Sequence, residues 1–156
     1  MTSEETNKKQ VISHMATLCS RSEQCSPDIR KKIIAAGLTE DEAAEIIIYL
    51  KEEKYIDDER YVKAYIAEKF KINKWGRVKM KYYLRQKGLT DDVIEKGMES
   101  IDEKKYVDLL LKTMKEKARK VKKKNKFEKM GQIIRYTQSR GFEPEIIHRY
   151  INKVLE

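Results

Sequence analysis

AAGLTEDEAAEIIIYL (residues 35–50), QKGLTDDVIEKGMESI (86–101) and SRGFEPEIIHRYINKV (139–154) are three versions of one pattern. They align without gaps and place Gly37, Gly88 and Gly141 at successive spacings of 51 and 53 residues. Repetition at this period marks repeated supersecondary units. Each copy reads as a helix that stops at a glycine, one apolar residue, and a new helix. A glycine just past a helix end takes the left-handed conformation that other residues resist, so the three glycines are expected C-caps. The helices that follow start with different chemistry. Thr39 with Glu42 forms a capping box, Thr90 is an N-cap ahead of Asp91 and Asp92, and Pro144 occupies a first helical position.

Working upstream, the positions four and eight residues before each glycine are Ile33 and Ile29, Leu84 and Met80, and Thr137 and Ile133. Five of these six are apolar, the i, i+4 ridge of an amphipathic helix. A third helix opens the later units, because DDERYVKAYIAEKF (57–70) matches DEKKYVDLLLKTMK (102–115); residues 8–20 are its counterpart in the first. The expected fold is therefore all-α, with three tandem three-helix repeats at 1–54, 55–101 and 102–156 in an elongated, curved array whose neighbours stack. The third repeat carries about seven extra residues, since Tyr61 to Trp75 spans 14 positions and Tyr106 to Phe127 spans 21. They fall inside KEKARKVKKKNKFEK (115–129), where 9 of 15 residues are Lys or Arg. Such a run is either a solvated helix end or an extension that holds phosphates by counterion release.

A chain of 156 residues is long enough for one domain or a string of small units. Its 39% charged content and mean hydropathy of −0.77 accompany 40% hydrophobic residues spaced as in helices, so the charge does not signal disorder. The net charge of +9 points to a polyanionic or acidic partner. That charge is uneven: residues 1–54 hold 8 Lys/Arg and 10 Asp/Glu, whereas residues 100–156 hold 16 and 8. Cys19 and Cys25 have neither a second pair nor a histidine at a zinc-ligand spacing, and read as reduced, partly buried thiols. The polar start MTSEETNKKQ and the lack of an apolar run near the roughly 20 residues needed to span a bilayer make the protein an expected cytosolic one.

His14 and His148 are isolated, and no phosphate loop or nucleophile–base constellation occurs, so catalysis, cofactors and metals are not expected. Asp57, Asp58 and Glu59 read as carboxylates at a helix start. In WGRVKMKYYLRQKGL (75–89), Met80, Tyr83 and Leu84 form one arc of a helix, and Arg77, Lys81 and Arg85 an adjacent line expected to be exposed. That line is absent from the other copies, which have Ser26, Arg30 and Ile34, or Met130, Ile134 and Gln138. Trp75, Tyr82 and Tyr83 sit where the repeats place packing residues, which favours packing over stacking on bases. The nine tyrosines are expected at the core edge with their hydroxyls in water.

The stretch YIDDERYVKAYIAEKFKINKWGRVKMKYYLRQKGLTDDVIEKGMESID (55–102) resembles the central signature of the RecX family of bacterial regulatory proteins. The shared features are Asp57 and Asp58, Tyr61, Tyr65 and Ile66, Gly76, and Leu84, Lys87, Gly88 and Leu89. Val62 replaces a usually small residue, and Arg77 a frequent proline. The resemblance implies a regulator that binds the RecA recombinase filament on single-stranded DNA, lies in the filament's helical groove, and limits its extension, ATPase, strand exchange and coprotease activity. It implies no cofactor and no catalytic residue, and a monomer is expected. The candidate partner or nucleic-acid contacts are Lys74, Arg77, Lys79, Lys81, Arg85 and Lys87, with Lys122, Lys123 and Lys124 from the Lys-rich run. The alternative is an autonomous nucleic-acid-binding protein built from helix-turn-helix-like units.

Overall fold

Helix formers and capping residues dominate the chain, and the computed structural model, which describes residues 3–122 and 125–155, is helical throughout with no strand among those residues. Among the described residues nine α-helices follow in chain order: α1 Ser3–Arg21, α2 Ser26–Ala35, α3 Glu40–Glu52, α4 Asp58–Glu68, α5 Arg77–Lys87, α6 Asp91–Met98, α7 Glu103–Lys120, α8 Lys126–Ser139 and α9 Pro144–Leu155. A π-helical turn, Lys69–Asn73, continues α4. Among the described residues α1 to α3 fall within 1–54, α4 to α6 within 55–101 and α7 to α9 within 102–156. The extra residues of the third copy lengthen the helices on both sides of the Lys-rich connection: α7 has 18 residues and α8 has 14, against 11 each in α4 and α5.

The repeated signals act as the sequence dictates. Gly37, Gly88 and Gly141 have φ of 99°, 100° and 99°, ending α2, α5 and α8. The Thr39 hydroxyl accepts from the Glu42 amide at 3.1 Å, and the Thr39 amide donates to the Glu42 carboxylate at 3.0 Å, closing the capping box. All six ridge positions upstream of the glycines are buried. The one polar member, Thr137, turns its hydroxyl to the Ile133 carbonyl at 2.7 Å, so no hydrogen-bonding group is stranded.

The helices pack as two compact units, Met1–Ala64 with Arg85–Gly97, and Tyr65–Leu84 with Met98–Glu156. The division passes through α4, α5 and α6. In the first unit Val11 and Met15 of α1 close over Ile29 and Ile33 of α2 and Ala43, Ile46 and Leu50 of α3. In the second, Tyr106, Leu110 and Met114 of α7 meet Ile133 of α8, Phe142, and Ile146, Ile147 and Ile151 of α9. Each fully buried Ile or Leu contributes about 1.5–3 kcal/mol, and these clusters are what make such short helices stable.

Two expectations about individual side chains change. Tyr106 is not at the core edge: it is fully buried, with its hydroxyl in an internal network described below. Cys19 is half-buried, but Cys25 is completely enclosed, and burial pushes its thiol up to about 11. At pH 8 iodoacetamide is therefore expected to modify Cys19 in the native protein while Cys25 reacts only after unfolding; equal rates in peptide mass mapping would contradict this burial.

Candidate partner surface

The start of α5 is held by its surroundings rather than by its own side chains. Gly76 precedes the helix and has no group with which to cap it, so the orphan amides of the first turn find partners elsewhere in the second unit. The Arg77 amide donates to the Tyr106 hydroxyl at 2.9 Å and the Val78 amide to the Gly141 carbonyl at 2.9 Å. The Gly76 amide donates to the Arg140 carbonyl at 2.8 Å. Tyr106 in turn donates its hydroxyl proton to Glu143. Burial and the neighbouring Glu143 carboxylate hold that hydroxyl well above the usual tyrosine range, so it stays a donor.

Arg77 belongs to this network. Its guanidinium lies over the Tyr106 ring at 3.8 Å, donates to Glu143 at 2.9 Å and also pairs with Glu103. Burial works to lower its pKa, but the two carboxylates outweigh it and the net direction is upward. With 18% of its side chain exposed, Arg77 does not lie on an exposed cationic line. Lys81 is half-buried as well, so of the three expected members only Arg85 is exposed. Tertiary carboxylates, invisible in a local pattern, have drawn Arg77 inward.

Arg85 and Lys87 belong to the first unit. Arg85 pairs with Asp91 at 2.8 Å, both ends in solvent. Lys87 donates to Asp28 at 2.9 Å and sits 5.8 Å from the centre of the Tyr61 ring. The Asp28 hydrogen bond is the main reason its pKa is raised, and Lys87 is a structural clasp as much as a surface charge. Lys122 is exposed, while Lys123 and Lys124 lie outside the described residues.

The remaining candidates, Lys74 and Lys79, come together in the second unit around Trp75. The π-turn ends on Lys74, whose φ of 59° and ψ of 43° are left-handed, immediately before the half-buried Trp75. Trp75 stacks on Tyr83 with centroids 5.2 Å apart and 28° between planes, and Tyr82 meets Tyr83 edge-on at 5.2 Å. The ammonium groups of Lys79 and Lys69 lie 4.7 and 5.1 Å from the Trp75 ring centre. Tyr82 and Tyr83 do not pack inward, being 55% and 42% exposed, whereas Met80 and Leu84 on the same helix are fully buried; Trp75 is half-buried and packs on Tyr83. Only its position six residues before Trp75 marks Lys69 in the sequence, and the π-turn that brings it back has no sequence signature.

Among the described residues no three His, Cys, Asp or Glu side chains converge as a metal cage, and no helix is long and apolar enough to cross a membrane. Residues 57–98 match the family described as RecX, second three-helix domain. The Regulatory protein RecX of Clostridium tetani is 31% identical over 126 residues, 80% of this chain and 57% of that protein. Its namesake from Caldanaerobacter subterraneus subsp. tengcongensis is 28% identical over 145 residues, 92% of this chain and 70% of that protein. The chain thus spans less than two thirds of the C. tetani relative. In fold, the crystal structure of RecX from Lactobacillus salivarius superposes with a TM-score of 0.89 at 19% identity, covering 96% of this chain and 97% of that one. The stretch that carries Trp75 and its lysines lies within the matched second three-helix domain, and the similarity to proteins named Regulatory protein RecX extends beyond it over most of the chain.

Proposed function

We propose that the protein is a non-enzymatic, cytoplasmic regulator that binds the RecA recombinase filament on single-stranded DNA and restrains its growth, and with it ATP hydrolysis, strand exchange and coprotease activity. The three repeats, 1–54, 55–101 and 102–156, are the binding elements, acting as a monomer and without a cofactor. The observation that carries the reading is the exposed lysine and aromatic surface around Trp75 within the RecX domain. Lys74 and Lys79 supply the electrostatic contact there, with Lys122 to Lys124 as a second basic element. Arg77 supports the surface from within the second unit, Lys87 is a clasp to Asp28 in the first, and Arg85 contributes where its weak, solvent-exposed pair with Asp91 exchanges for a phosphate or an acidic side chain.

Added below the concentration of RecA, the protein is expected to slow ATP hydrolysis and strand exchange at low salt, with inhibition easing as salt rises. A Lys74→Glu/Lys79→Glu double variant should keep its helicity and lower the salt dependence of binding to the filament by about 1–2 units of slope, as expected for two lost phosphate contacts. Absence of inhibition by the unmodified protein at low salt would overturn the proposed function.

A further inference from the structure

We infer that Trp75, Tyr83 and Tyr82 form a stacking platform for an unpaired nucleobase, with Lys69, Lys74 and Lys79 taking the flanking phosphates. This rests on the reading of the protein as one that meets single-stranded DNA, and adds the atoms at which it does so. Tyr82 and Tyr83 stand on the outer side of a helix whose inner side is already filled by Met80 and Leu84, and the half-buried Trp75, just ahead of that helix, stacks on Tyr83. Core formation therefore does not account for them. Burying an aromatic ring is favourable enough that a chain leaving Tyr82 more than half exposed beside Tyr83 keeps an apolar face open.

The cations beside the rings differ from the others on α5. Arg77, Arg85 and Lys87 are each engaged by a carboxylate. Among the described residues Lys69, Lys74 and Lys79 are not; Lys69 and Lys79 instead rest against aromatic rings, Lys69 lying 5.5 Å from the Tyr65 ring centre as well as near Trp75. A phosphate can recruit them without breaking an ion pair. Their four-carbon stems allow each ammonium to swing off the indole onto a phosphate, exposing the ring face to a base. A base stacks on any such face whatever its identity, so the site should be tolerant of sequence. Bases inside a duplex are already stacked on each other and do not present that face.

Trp75 is the only tryptophan in the chain, so its emission reports this site alone. The full chain is titrated, without RecA and at low salt, with an oligothymidylate, a duplex of equal length, and an abasic deoxyribose phosphate strand. Saturable quenching by the oligothymidylate, with weak quenching by the other two, is the expected result. Tyr83→Ala, measured by anisotropy of a labelled oligothymidylate, should weaken binding about 5- to 150-fold, the loss expected for one stacked base, with an unchanged circular dichroism spectrum. Equal quenching by the abasic strand, or no quenching by any strand, would overturn the platform. So would an acidic, tyrosine-containing peptide that quenches more strongly than the oligothymidylate, since that assigns the rings to a protein partner. Quenching without inhibition of RecA would sink the proposed function and uphold the platform; inhibition of RecA without quenching would do the reverse.

Discussion

Gly141→Ala is expected to cost more than about 4 kcal/mol and to unfold the second unit far below the temperature at which the unmodified protein melts, whereas Gly37→Ala should cost only about 1–2 kcal/mol. Both glycines have a φ of 99°, so both substitutions carry the same left-handed strain. What differs is the space around them. A Cβ on Gly37 meets nothing within 4 Å. On Gly141 it would overlap the Lys79 Cβ and lie 2.9 Å from the Lys79 nitrogen and 3.0 Å from the Gly76 oxygen. Backbone atoms cannot move aside as a side-chain tip can. The approach is tight from the other side as well, since a Cβ on Gly76 would overlap the Gly141 carbonyl and lie 2.6 Å from the Phe142 nitrogen. Through this seam the Gly76 and Val78 amides reach the Arg140 and Gly141 carbonyls, so opening it also strands backbone groups. Urea unfolding of the two variants, followed by Trp75 emission and circular dichroism, checks the contrast; equal losses of stability would show that the close approach does not matter.

The same glycine shows what a sequence can and cannot disclose. That Gly141 ends a helix follows from its place in a threefold repeat, because a C-cap is a local requirement that recurs wherever the unit recurs. The burial of Ile29, Ile33, Met80, Leu84 and Ile133 follows from period alone, for the same reason. That the backbone of Gly76 packs directly against Gly141 does not follow, because that contact joins residues 65 positions apart and has no counterpart in the local pattern. The candidate cations divide along this line. A helical wheel sees Arg77, Lys81 and Arg85 as equivalent, yet Glu143, 66 residues away, turns Arg77 inward, and Asp28, 59 residues away, clasps Lys87. Aromatic residues are ambiguous for another reason: Tyr83 sits at the margin of the apolar arc, where a ring fits a core edge or an open surface equally well. The π-turn opposes local propensity outright, since it ends on a lysine in the left-handed region, and so the place of Lys69 beside Trp75 is not legible in the sequence.

Charge reversal at Arg77 should therefore abolish function by a different route from charge reversal at Lys79. Arg77→Glu places a third carboxylate beside Glu103 and Glu143, removes the cation from the Tyr106 face, and leaves Glu143 with the Tyr106 hydroxyl as its remaining partner in this network. Glu103 is 66% exposed and its pairing with Arg77 is screened, so most of the penalty comes from Glu143, at 26%, and from buried Tyr106. Breaking such a partly buried pair is expected to destabilise the second unit by about 2–4 kcal/mol, below the full cost of a deeply buried one. Arg77→Lys keeps the charge but loses the fork that reaches two carboxylates, and should lose less than Arg77→Glu. Arg85→Glu, facing a 70% exposed Asp91, should stay within about 1 kcal/mol of the unmodified protein. An unchanged urea midpoint for Arg77→Glu would remove Arg77 from the structural network and return it to the contact surface. With the midpoint lowered, loss of RecA inhibition in Arg77→Glu reports unfolding, and only the Lys74 and Lys79 variants, whose charges no carboxylate of the described residues engages, can report the contact itself.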